Sequence, residues 1–297
     1  MRVLSINHLG DMTMKQTYDD LIIQTFEPKY EAAVAAFELS ERQQIYSSLP
    51  KDVLQDALDD PTRTANIAVN EDGDVVAFFV LHEHYQHEGY DTPHHVVYIR
   101  SLSVNERFQG QGYGTKVMMH LPLYVQDLYP AFNHLYLVVD AENEAAWNVY
   151  ERAGFMHAAT KEEGPIGKER LYYLDLDSKY VSALRLQYNE TSSQKGYDII
   201  NLVKDGTKVG FMALEAHDTR INIVAIEVIE AERHHGIAES ALRQIATFIR
   251  RHYEDAQVIH MTLFGENDEL RALCERSNFV ETVATDDFVT FEKYVNY

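Results

Sequence analysis

The same order of landmarks occurs twice along the 297-residue chain, and this repeat constrains the fold more than any other feature of the sequence. The dipeptide Asp72-Gly73 recurs 133 positions later as Asp205-Gly206. The segment at residues 109–114 recurs 124 positions later at residues 233–238. One order of landmarks in different surroundings indicates a duplicated folding unit. We therefore predict two domains with a boundary near Asp177.

The first domain, residues 1–177, is predicted to be complete, and the second, residues 178–297, to be shortened. The change of offset from 133 to 124 places nine additional residues between the third and fourth strands of the first copy. That insertion carries His84, His87, His94 and His95. In the second copy, too few residues precede the first clear strand to form the two opening helices predicted for the first.

Strands alternate with helices in the predicted order, which is typical of an α/β fold. Residues 66–69 and 75–82 flank Asp72-Gly73, a dipeptide that favours a tight hairpin turn. No helix or strand is predicted in the first twenty residues. The second half of the chain repeats the order of elements of the first half. Further strands are predicted at 21–26, 96–104 and 135–139, and helices at 31–46, 50–58, 112–128 and 144–152.

The charge of the chain disfavours nucleic acids and anionic membranes as partners. Asp and Glu number 47 against 26 Lys and Arg, which gives a net charge of −21, and no run of five basic residues occurs. The excess is concentrated in the first copy, which has 28 acidic and 13 basic residues. Such a chain favours small cationic partners.

The single cysteine, Cys274, excludes an intrachain disulfide and fits a reducing compartment. No segment resembles a secretory signal or is apolar over a length that could span a bilayer. We therefore expect a soluble, cytoplasmic protein.

A glycine-rich turn at residues 109–115 joins the strand that ends at Val104 to the following helix. Glycines let successive backbone N–H groups converge on one point, and a helix N-terminus adds partial positive charge, so the turn is predicted to bind an anion.

Two nucleotide-binding alternatives exist. A P-loop requires Gly-Lys-Ser/Thr, which Gly114-Thr115-Lys116 does not supply. A dinucleotide fold requires an acidic residue after the next strand, for which Asp140 is a candidate.

The next helix distinguishes between these alternatives. Asn143, Trp147 and Tyr150 are spaced by four and three residues, which places an amide and a phenol on one helical face. Both groups are therefore predicted to face one groove beside the glycine-rich turn.

Two strings in this region carry a family resemblance. They are Gln109-x-x-Gly112-x-Gly114 and Asn143-x-x-Ala146-x-x-x-Tyr150, the second of which continues to Gly154-Phe155. The sequence thereby resembles the GNAT superfamily of acetyl-CoA-dependent N-acetyltransferases, well over residues 21–177 and partially over residues 198–294. The pattern is similar to tandem GNAT proteins, and the first copy also resembles bacterial polyamine-type acetyltransferases. It implies two GNAT folds, each a mixed, largely antiparallel twisted sheet flanked by helices.

The resemblance implies direct transfer of an acetyl group from acetyl-CoA to a primary amine, without a metal. Backbone groups at Leu102 and Val104 would contact the pantetheine arm, and Asn143 would hydrogen-bond its amide. Tyr150 would protonate the departing thiolate, since a phenol with a pKa of about 10 is protonated at neutral pH. The residues expected to hold the pyrophosphate are Gln109, Gly110, Gln111, Gly112, Tyr113, Gly114 and Thr115.

An amine acceptor needs a base, because an alkylamine with a pKa of about 10.4 is mostly ammonium at pH 7. Glu83, Tyr98 and His84 are candidates, and we select Glu83 as the predicted base. The acidity of the first copy favours a cationic acceptor such as a polyamine. The spacing of the histidines in the insertion does not indicate a metal site, so we expect this loop to border the acceptor groove instead.

The second copy keeps Arg233, Gly236 and Asn267 but has Cys274 at the position of the tyrosine and Asn278 at that of the following glycine. We therefore predict that it is not catalytic and that it either completes an internal pseudo-dimer or is at most a vestigial CoA binder. Two other functions remain open for the chain. One is a non-catalytic acyl-CoA sensor or interaction module with this fold, and the other is a nucleotide-dependent oxidoreductase.

Overall fold

The computed structural model describes residues 2–6, 12–18, 20–90, 92, 95–177, 179–190 and 196–295. The chain divides into two compact units, Met1–Asp177 and Ser178–Tyr297. His94 of the His-rich insertion lies outside the described residues.

The first unit contains nine strands and five α-helices among the residues described. Its helices are α1 (Glu31–Ala35), α2 (Glu41–Gln44), α3 (Pro50–Asp59), α4 (Tyr113–Leu128) and α5 (Glu144–Arg152). Its strands are β1 (Arg2–Ile6), β2 (Met12–Tyr18), β3 (Leu21–Thr25), β4 (Arg63–Asn70), β5 (Val75–Glu83), β6 (Val96–Val104), β7 (His134–Asp140), β8 (Met156–Lys161) and β9 (Glu169–Asp175).

The second unit contains seven strands and two helices in its described part. Its helices are α6 (Ile237–His252) and α7 (Asp268–Arg276). Its strands are β10 (Leu184–Tyr188), β11 (Asp198–Lys204), β12 (Thr207–His217), β13 (Arg220–Val228), β14 (Val258–Phe264), β15 (Val280–Ala284) and β16 (Phe288–Tyr294).

Each unit is built on one sheet, and the second sheet repeats the order of the first. The first sheet has the order β1-β2-β3-β4-β5-β6-β7-β9-β8, and the second has β10-β11-β12-β13-β14-β16-β15. From β3 onward the two orders correspond strand by strand. The strands on either side of the long helix pair in parallel, β6 with β7 and β13 with β14, and the other described pairs are antiparallel. The predicted fold class, two mixed and largely antiparallel sheets flanked by helices, is confirmed.

The two units differ in the segment that precedes β4 in the first and β11 in the second. Residues 26–62, with three helices, connect β3 to β4, whereas residues 189–197 alone connect β10 to β11. β1 and β2 extend the first sheet in a segment for which the sequence predicts no element.

The prediction of one helix over residues 31–46 is wrong, because two short helices occupy this segment. Ser40 begins α2 with a capping box: its hydroxyl accepts from the Gln43 N–H at 3.3 Å, and Gln43 Oε1 accepts from the Ser40 N–H at 3.0 Å. Such a reciprocal pair satisfies two N–H groups at a helix start, so it favours a new helix over continuation of α1.

The continuous apolar run of β5 is explained by cover on both faces of the first sheet. Phe79 and Leu81 lie in the core formed with α4, whereas Phe78 and Val80 pack in a separate cluster with Val34 of α1. A strand buried on both faces needs apolar residues at successive positions, not at alternate ones.

Among the described residues, no helix combines the length and apolar character needed to cross a membrane.

Candidate active site

β6 and β7 separate and leave a cleft in the first sheet. They pair only from Val96 to Tyr98, opposite residues 134–136 of β7, and no later pair joins them within the described chain. Ser101 has a φ of +53°, and the register between β5 and β6 shifts in this part of the strand. Such an irregularity bends the strand that contains it. The predicted site residues Leu102 and Val104 lie on this separated part of β6.

The glycine turn (residues 109–115) lies at the end of the separated part of β6. Gly110 and Gly112 have φ values of +74° and +84°, which glycine adopts without steric cost. No described heavy atom lies within 4 Å of the point where either residue would place a β-carbon. α4 begins at Tyr113, so the first-turn N–H groups of Tyr113, Gly114 and Thr115 have no intrahelical acceptor. An anion can therefore approach both these N–H groups and the positive end of the helix dipole.

Gln109 fixes the turn through its side chain. Its Nε2 donates to the backbone carbonyl of Val104 at 2.7 Å, and its amide exchanges hydrogen bonds with the amide of Gln43 at 2.6 and 3.1 Å. The backbone N–H of Gln109 donates to the Glu106 carbonyl at 3.3 Å. Gln109 thus links the turn to β6 and α2, and its own N–H is already engaged within the protein.

The second unit uses a different residue for the same link. Arg233 Nε donates to the Val228 carbonyl at 2.9 Å, as Gln109 does to the Val104 carbonyl five residues earlier. Glutamine and arginine can both start this turn because each carries an N–H donor that reaches that carbonyl.

Gly114 and the Gln111 side chain make contacts within the protein. A β-carbon at Gly114 would lie 3.4 Å from Val104 Cγ2, so this glycine allows α4 to start close to β6. Gln111 Nε2 donates to the Arg107 carbonyl at 3.4 Å.

Asn143 acts as the N-cap of α5. Its Oδ1 accepts from the Ala146 N–H at 3.3 Å, and Asn267 caps α7 in the same way through the Leu270 N–H at 3.0 Å. An N-cap asparagine satisfies an N–H group that the first helical turn leaves without a partner. Both copies therefore use this asparagine to cap a helix. In Asn143 the cap uses only Oδ1, so Nδ2 can still donate a hydrogen bond to a ligand.

Tyr150 lies on α5 at the border of the main core. Leu102, Val104 and Tyr113, three other predicted site residues, border the same core. The Tyr150 ring is half-buried and lies 6.3 Å from the Tyr172 ring, centroid to centroid, in an edge contact. Burial raises the pKa of Tyr150 to about 12. The hydroxyl thus keeps its proton, and no residue in the described part of the chain hydrogen-bonds to it.

Glu83 ends β5 and pairs with Val97 at the start of β6. Burial raises the pKa of the Glu83 carboxyl, and His84 opposes this shift. Burial also raises the pKa of Tyr129 to about 12, with a contribution from the Glu83 charge. Because Tyr129 follows the last residue of α4, Glu83 lies near the end of this helix. α4 has 16 residues, about 24 Å of helix, so Glu83 and the glycine turn are well separated.

Tyr98 occupies the start of the cleft. Its hydroxyl accepts from the Val138 N–H at 3.1 Å, just past the last pair of β6 and β7. Burial raises the pKa of Tyr98 far above its usual value, so the phenol stays neutral and is a poor proton acceptor.

The described histidines of the insertion, His84, His87 and His95, contact aromatic rings. The rings of His84 and His95 lie 5.4 Å apart, and both contact Phe132. His87 lies between Tyr90 and Tyr98, at 5.6 and 5.9 Å from their rings. In the described chain, no three His, Cys, Asp or Glu side chains are grouped so that they could hold a metal ion.

The equivalent turn of the second unit, residues 233–239, has the same backbone form but is covered. Gly236 has a φ of +82°, and the carbonyl oxygen of Lys179 lies 1.8 Å from the point where its β-carbon would be. The covering segment is held by the Val181 N–H, which donates to Ser240 Oγ at 2.7 Å, and by Lys179 Nζ, which donates to the His234 carbonyl at 3.4 Å. Backbone therefore fills the space that remains open in the first unit.

A carboxylate also occupies the first turn of α6. Glu239 stands at the position of Thr115 and is buried, with Oε1 2.7 Å from Arg243 Nη2 and Oε2 3.3 Å from Arg276 Nε. The two arginines stabilise this carboxylate internally, and its negative charge disfavours an anion at the helix start.

Cys274 is fully buried in the core of the second unit. Its Sγ lies 3.7 Å from Met261 Sδ, and burial raises the pKa of the thiol to about 11. Asn278 has a φ of +62° where Gly154 has +96°, so asparagine supports the same left-handed helix end. The second copy thus keeps the backbone of the motif, but its thiol does not reach a groove.

Two of these features are missed by the sequence interpretation. The link from Gln43 to Gln109 joins residues that are 66 positions apart, and no spacing rule connects them. Lys179 covers the second turn with its backbone, which leaves no side-chain signature.

Residues 30–155 match the acetyltransferase (GNAT) family, and this match lies within the first unit. The chain is 27% identical over 155 residues to the uncharacterized N-acetyltransferase YbbJ of Bacillus subtilis (strain 168). This match covers 52% of this chain and 96% of that protein. A GNAT-family acetyltransferase from Bacillus anthracis is 16% identical, with a TM-score of 0.46 over 56% of this chain and 100% of its own. Spermidine N-acetyltransferase from Vibrio cholerae, solved with CoA and spermine, is 14% identical, with a TM-score of 0.43 over 54% of this chain and 97% of its own.

Proposed function

We propose that the first unit, in which residues 30–155 match the acetyltransferase (GNAT) family, transfers an acetyl group directly from acetyl-CoA to a primary amine. One observation carries this proposal. An open glycine turn lies at the end of the cleft between β6 and β7, and the protonated Tyr150 borders the same core as Leu102 and Val104 of β6.

The residues of the first unit fit acetyl-CoA because the space beside Gly110 and Gly112 is open and the first-turn N–H groups of α4 are available to a pyrophosphate. When bound, acetyl-CoA supplies an acyl group activated as a thioester. Gln109 holds the turn in place through its side chain. The residues proposed to contact acetyl-CoA are Leu102 and Val104 through their backbone, Gly110, Gln111, Gly112, Tyr113, Gly114 and Thr115 through their N–H groups, and Asn143 through Nδ2.

Tyr150 is the proposed general acid. With a pKa of about 12, its hydroxyl retains a proton at Oη throughout the neutral range and can donate it to a sulfur that gains negative charge. Packing of its ring against Tyr172 orients the hydroxyl without a competing protein acceptor among the described residues.

Glu83 is the proposed base, on the strength of its raised pKa. Desolvation makes a carboxylate a better proton acceptor, which an ammonium acceptor group requires before it can react. Because Glu83 is well separated from the glycine turn, we propose that water relays the proton from the acceptor amine to Glu83.

The proposed acceptor is a small cationic amine. The first unit carries 28 acidic and 13 basic residues, and such an excess raises the local concentration of cations.

The second unit is proposed to have no catalytic role. The backbone of Lys179 covers its turn, Glu239 places a carboxylate at the start of α6, and Cys274 is buried. We therefore propose one acetyl-CoA site per chain.

The test is the release of CoA from acetyl-CoA over a panel of primary amines, with mass spectrometry of the amine product. The proposal expects release that depends on the amine and a product heavier by one acetyl group. Tight CoA binding without release from any amine would overturn it and would support a non-catalytic CoA-binding module.

A further inference from the structure

Glu169 lies at a corner of the first sheet where three strands meet. It begins β9 and pairs with Asp140 at the end of β7 and with Lys161 at the end of β8. Directly paired residues on antiparallel strands project from the same face. Leu137 and Val139 of β7 face the core formed with α4, so Asp140 and Glu169 lie on the opposite face.

The carboxylate of Glu169 is enclosed. The residue is 7% exposed, and its Oε2 is buried without a hydrogen-bond donor in the described chain. Gly164, in the loop between β8 and β9, lies directly over it, since a β-carbon there would be 2.4 Å from Glu169 Cγ. A buried carboxylate oxygen is costly without a donor, so this oxygen points to a cation or donor that the described part of the chain does not supply.

The nearby basic side chains have other partners. Lys161 Nζ donates to the Glu88 carbonyl at 3.2 Å, and Lys168 Nζ pairs with Glu162 at 3.0 Å. The Arg170 guanidinium lies over the Trp147 ring, 4.8 Å from a centroid. Meanwhile, burial and then the charge of Glu169 raise the pKa of Asp140. Two carboxylates therefore share this corner without a cation from these three residues.

Aromatic rings connect this corner to the cleft. Residues 88–90 lie beside the end of β8, because Lys161 Nζ donates to the Glu88 carbonyl and Lys161 pairs directly with Glu169. Burial and then the charge of Glu169 raise the pKa of Tyr90 to about 12. The Tyr90 hydroxyl is buried and has no acceptor among the residues described. His87 packs between Tyr90 and Tyr98, whose hydroxyl contacts Val138 inside the cleft. Carboxylates beside aromatic faces form an environment that suits an alkylammonium group.

We propose that Glu169, together with Asp140 and Tyr90, binds a second ammonium group of the acceptor, so that the substrate is a diamine or polyamine. This inference rests on the proposed function of the cleft. The ammonium held here cannot be the reacting one, because carboxylates stabilise the charged form of an amine and the reacting nitrogen must be neutral. Since Oε2 has no exposed surface, the ammonium reaches it only when the Tyr90 side chain or the loop over Glu169 moves aside.

The test compares Glu169→Gln with Glu163→Gln, which removes the charge of an exposed carboxylate in the neighbouring loop between β8 and β9. The probes are diaminobutane and butylamine, which share a chain length and differ by one ammonium group. For E169Q we expect the KM for diaminobutane to rise about tenfold or more, the kcat to change less than about threefold and the KM for butylamine to stay within about twofold. E163Q should match the wild type, and the Kd for CoA should be the same in all three proteins.

An unchanged ratio of the two KM values in E169Q would overturn the inference. If E169Q does not fold, Asp140→Asn provides the same comparison, with an expected rise of about threefold in the KM for diaminobutane. Calorimetry of diaminobutane with the CoA-saturated protein separates this inference from the proposed function. Binding that E169Q abolishes supports the site even if no amine is acetylated, whereas no binding to the wild type overturns it.

Discussion

The carbonyl oxygen of Lys179 lies 1.8 Å from the point where Gly236 would place a β-carbon, whereas the same point beside Gly112 is open. The two glycines have nearly equal φ values, +82° and +84°, and each precedes a 16-residue helix. The turns themselves therefore have the same form, and the segment before β10 makes the difference between an open turn and a covered one.

We predict that one CoA binds per chain. Isothermal titration of CoA should give a stoichiometry near one, and the fluorescence of Trp147, the single tryptophan, should change with the same midpoint. Two equivalent sites per chain would contradict the assignment of the covered turn.

Alanine at the two equivalent glycines should have different effects. Gly112→Ala and Gly236→Ala both place a β-carbon at positive φ, at a cost of about 1–3 kcal/mol, but only G236A also collides with the Lys179 backbone. We expect G236A to accelerate amide hydrogen exchange in α6 with no change in the Kd for CoA. G112A should weaken CoA binding and leave exchange in α6 unchanged. The reverse pattern would refute the proposed division between the units.

The effect of replacing Gln109 on CoA affinity should depend on whether the new side chain carries an N–H donor. Gln109→Arg retains an N–H donor for the Val104 carbonyl, as Arg233 does for the Val228 carbonyl in the second unit. Gln109→Leu removes this donor and leaves a carbonyl without its partner, at a cost of about 1–3 kcal/mol. Titration with CoA should give a Kd within about threefold of wild type for Q109R and at least about fivefold weaker for Q109L. Equal affinities for the two variants would show that the side-chain link has no part in forming the site.

The pH profile should have an acidic limb set by Glu83. A base must be deprotonated to act, so activity should rise with pH through the pKa of Glu83, which burial holds above the usual value for a carboxyl. Glu83→Gln should remove this limb and lower kcat, whereas the exposed control Glu88→Gln should keep it. If E83Q kept the acidic limb of the wild type, a group other than Glu83 would be the one that loses a proton there.

The sequence predicts the elements that local patterns determine. β6 and α5 match the predicted bounds, because a run rich in β-branched and aromatic residues and a helical spacing set them directly. The repeat predicts the matching strand orders of the two sheets, since the same landmarks in the same order require equivalent elements. The bounds of α1 and α2 are missed because Ser40 and Gln43 compete with the surrounding helical pattern.

The candidate site is less accessible to prediction from the sequence, because it depends on tertiary contacts. The turn, Tyr150 and the capping asparagines lie in short motifs with recognisable spacing. The contact between Gln43 and Gln109, the burial of Cys274 and the enclosed Glu169 carboxylate depend on distant segments meeting in the fold. Such contacts have no periodicity along the chain, so composition and spacing do not reveal them.

The most direct test of the central claim is the steady-state rate of Tyr150→Phe with acetyl-CoA and an amine that the wild type acetylates. Tyr197→Phe, which changes an exposed tyrosine of the second unit, is the matched control. The account predicts that Y150F binds CoA with a Kd within about twofold of wild type but has a kcat at least about 100-fold lower, because general acid catalysis contributes rate and not binding. A Y150F protein that binds CoA and retains the wild-type kcat would contradict it.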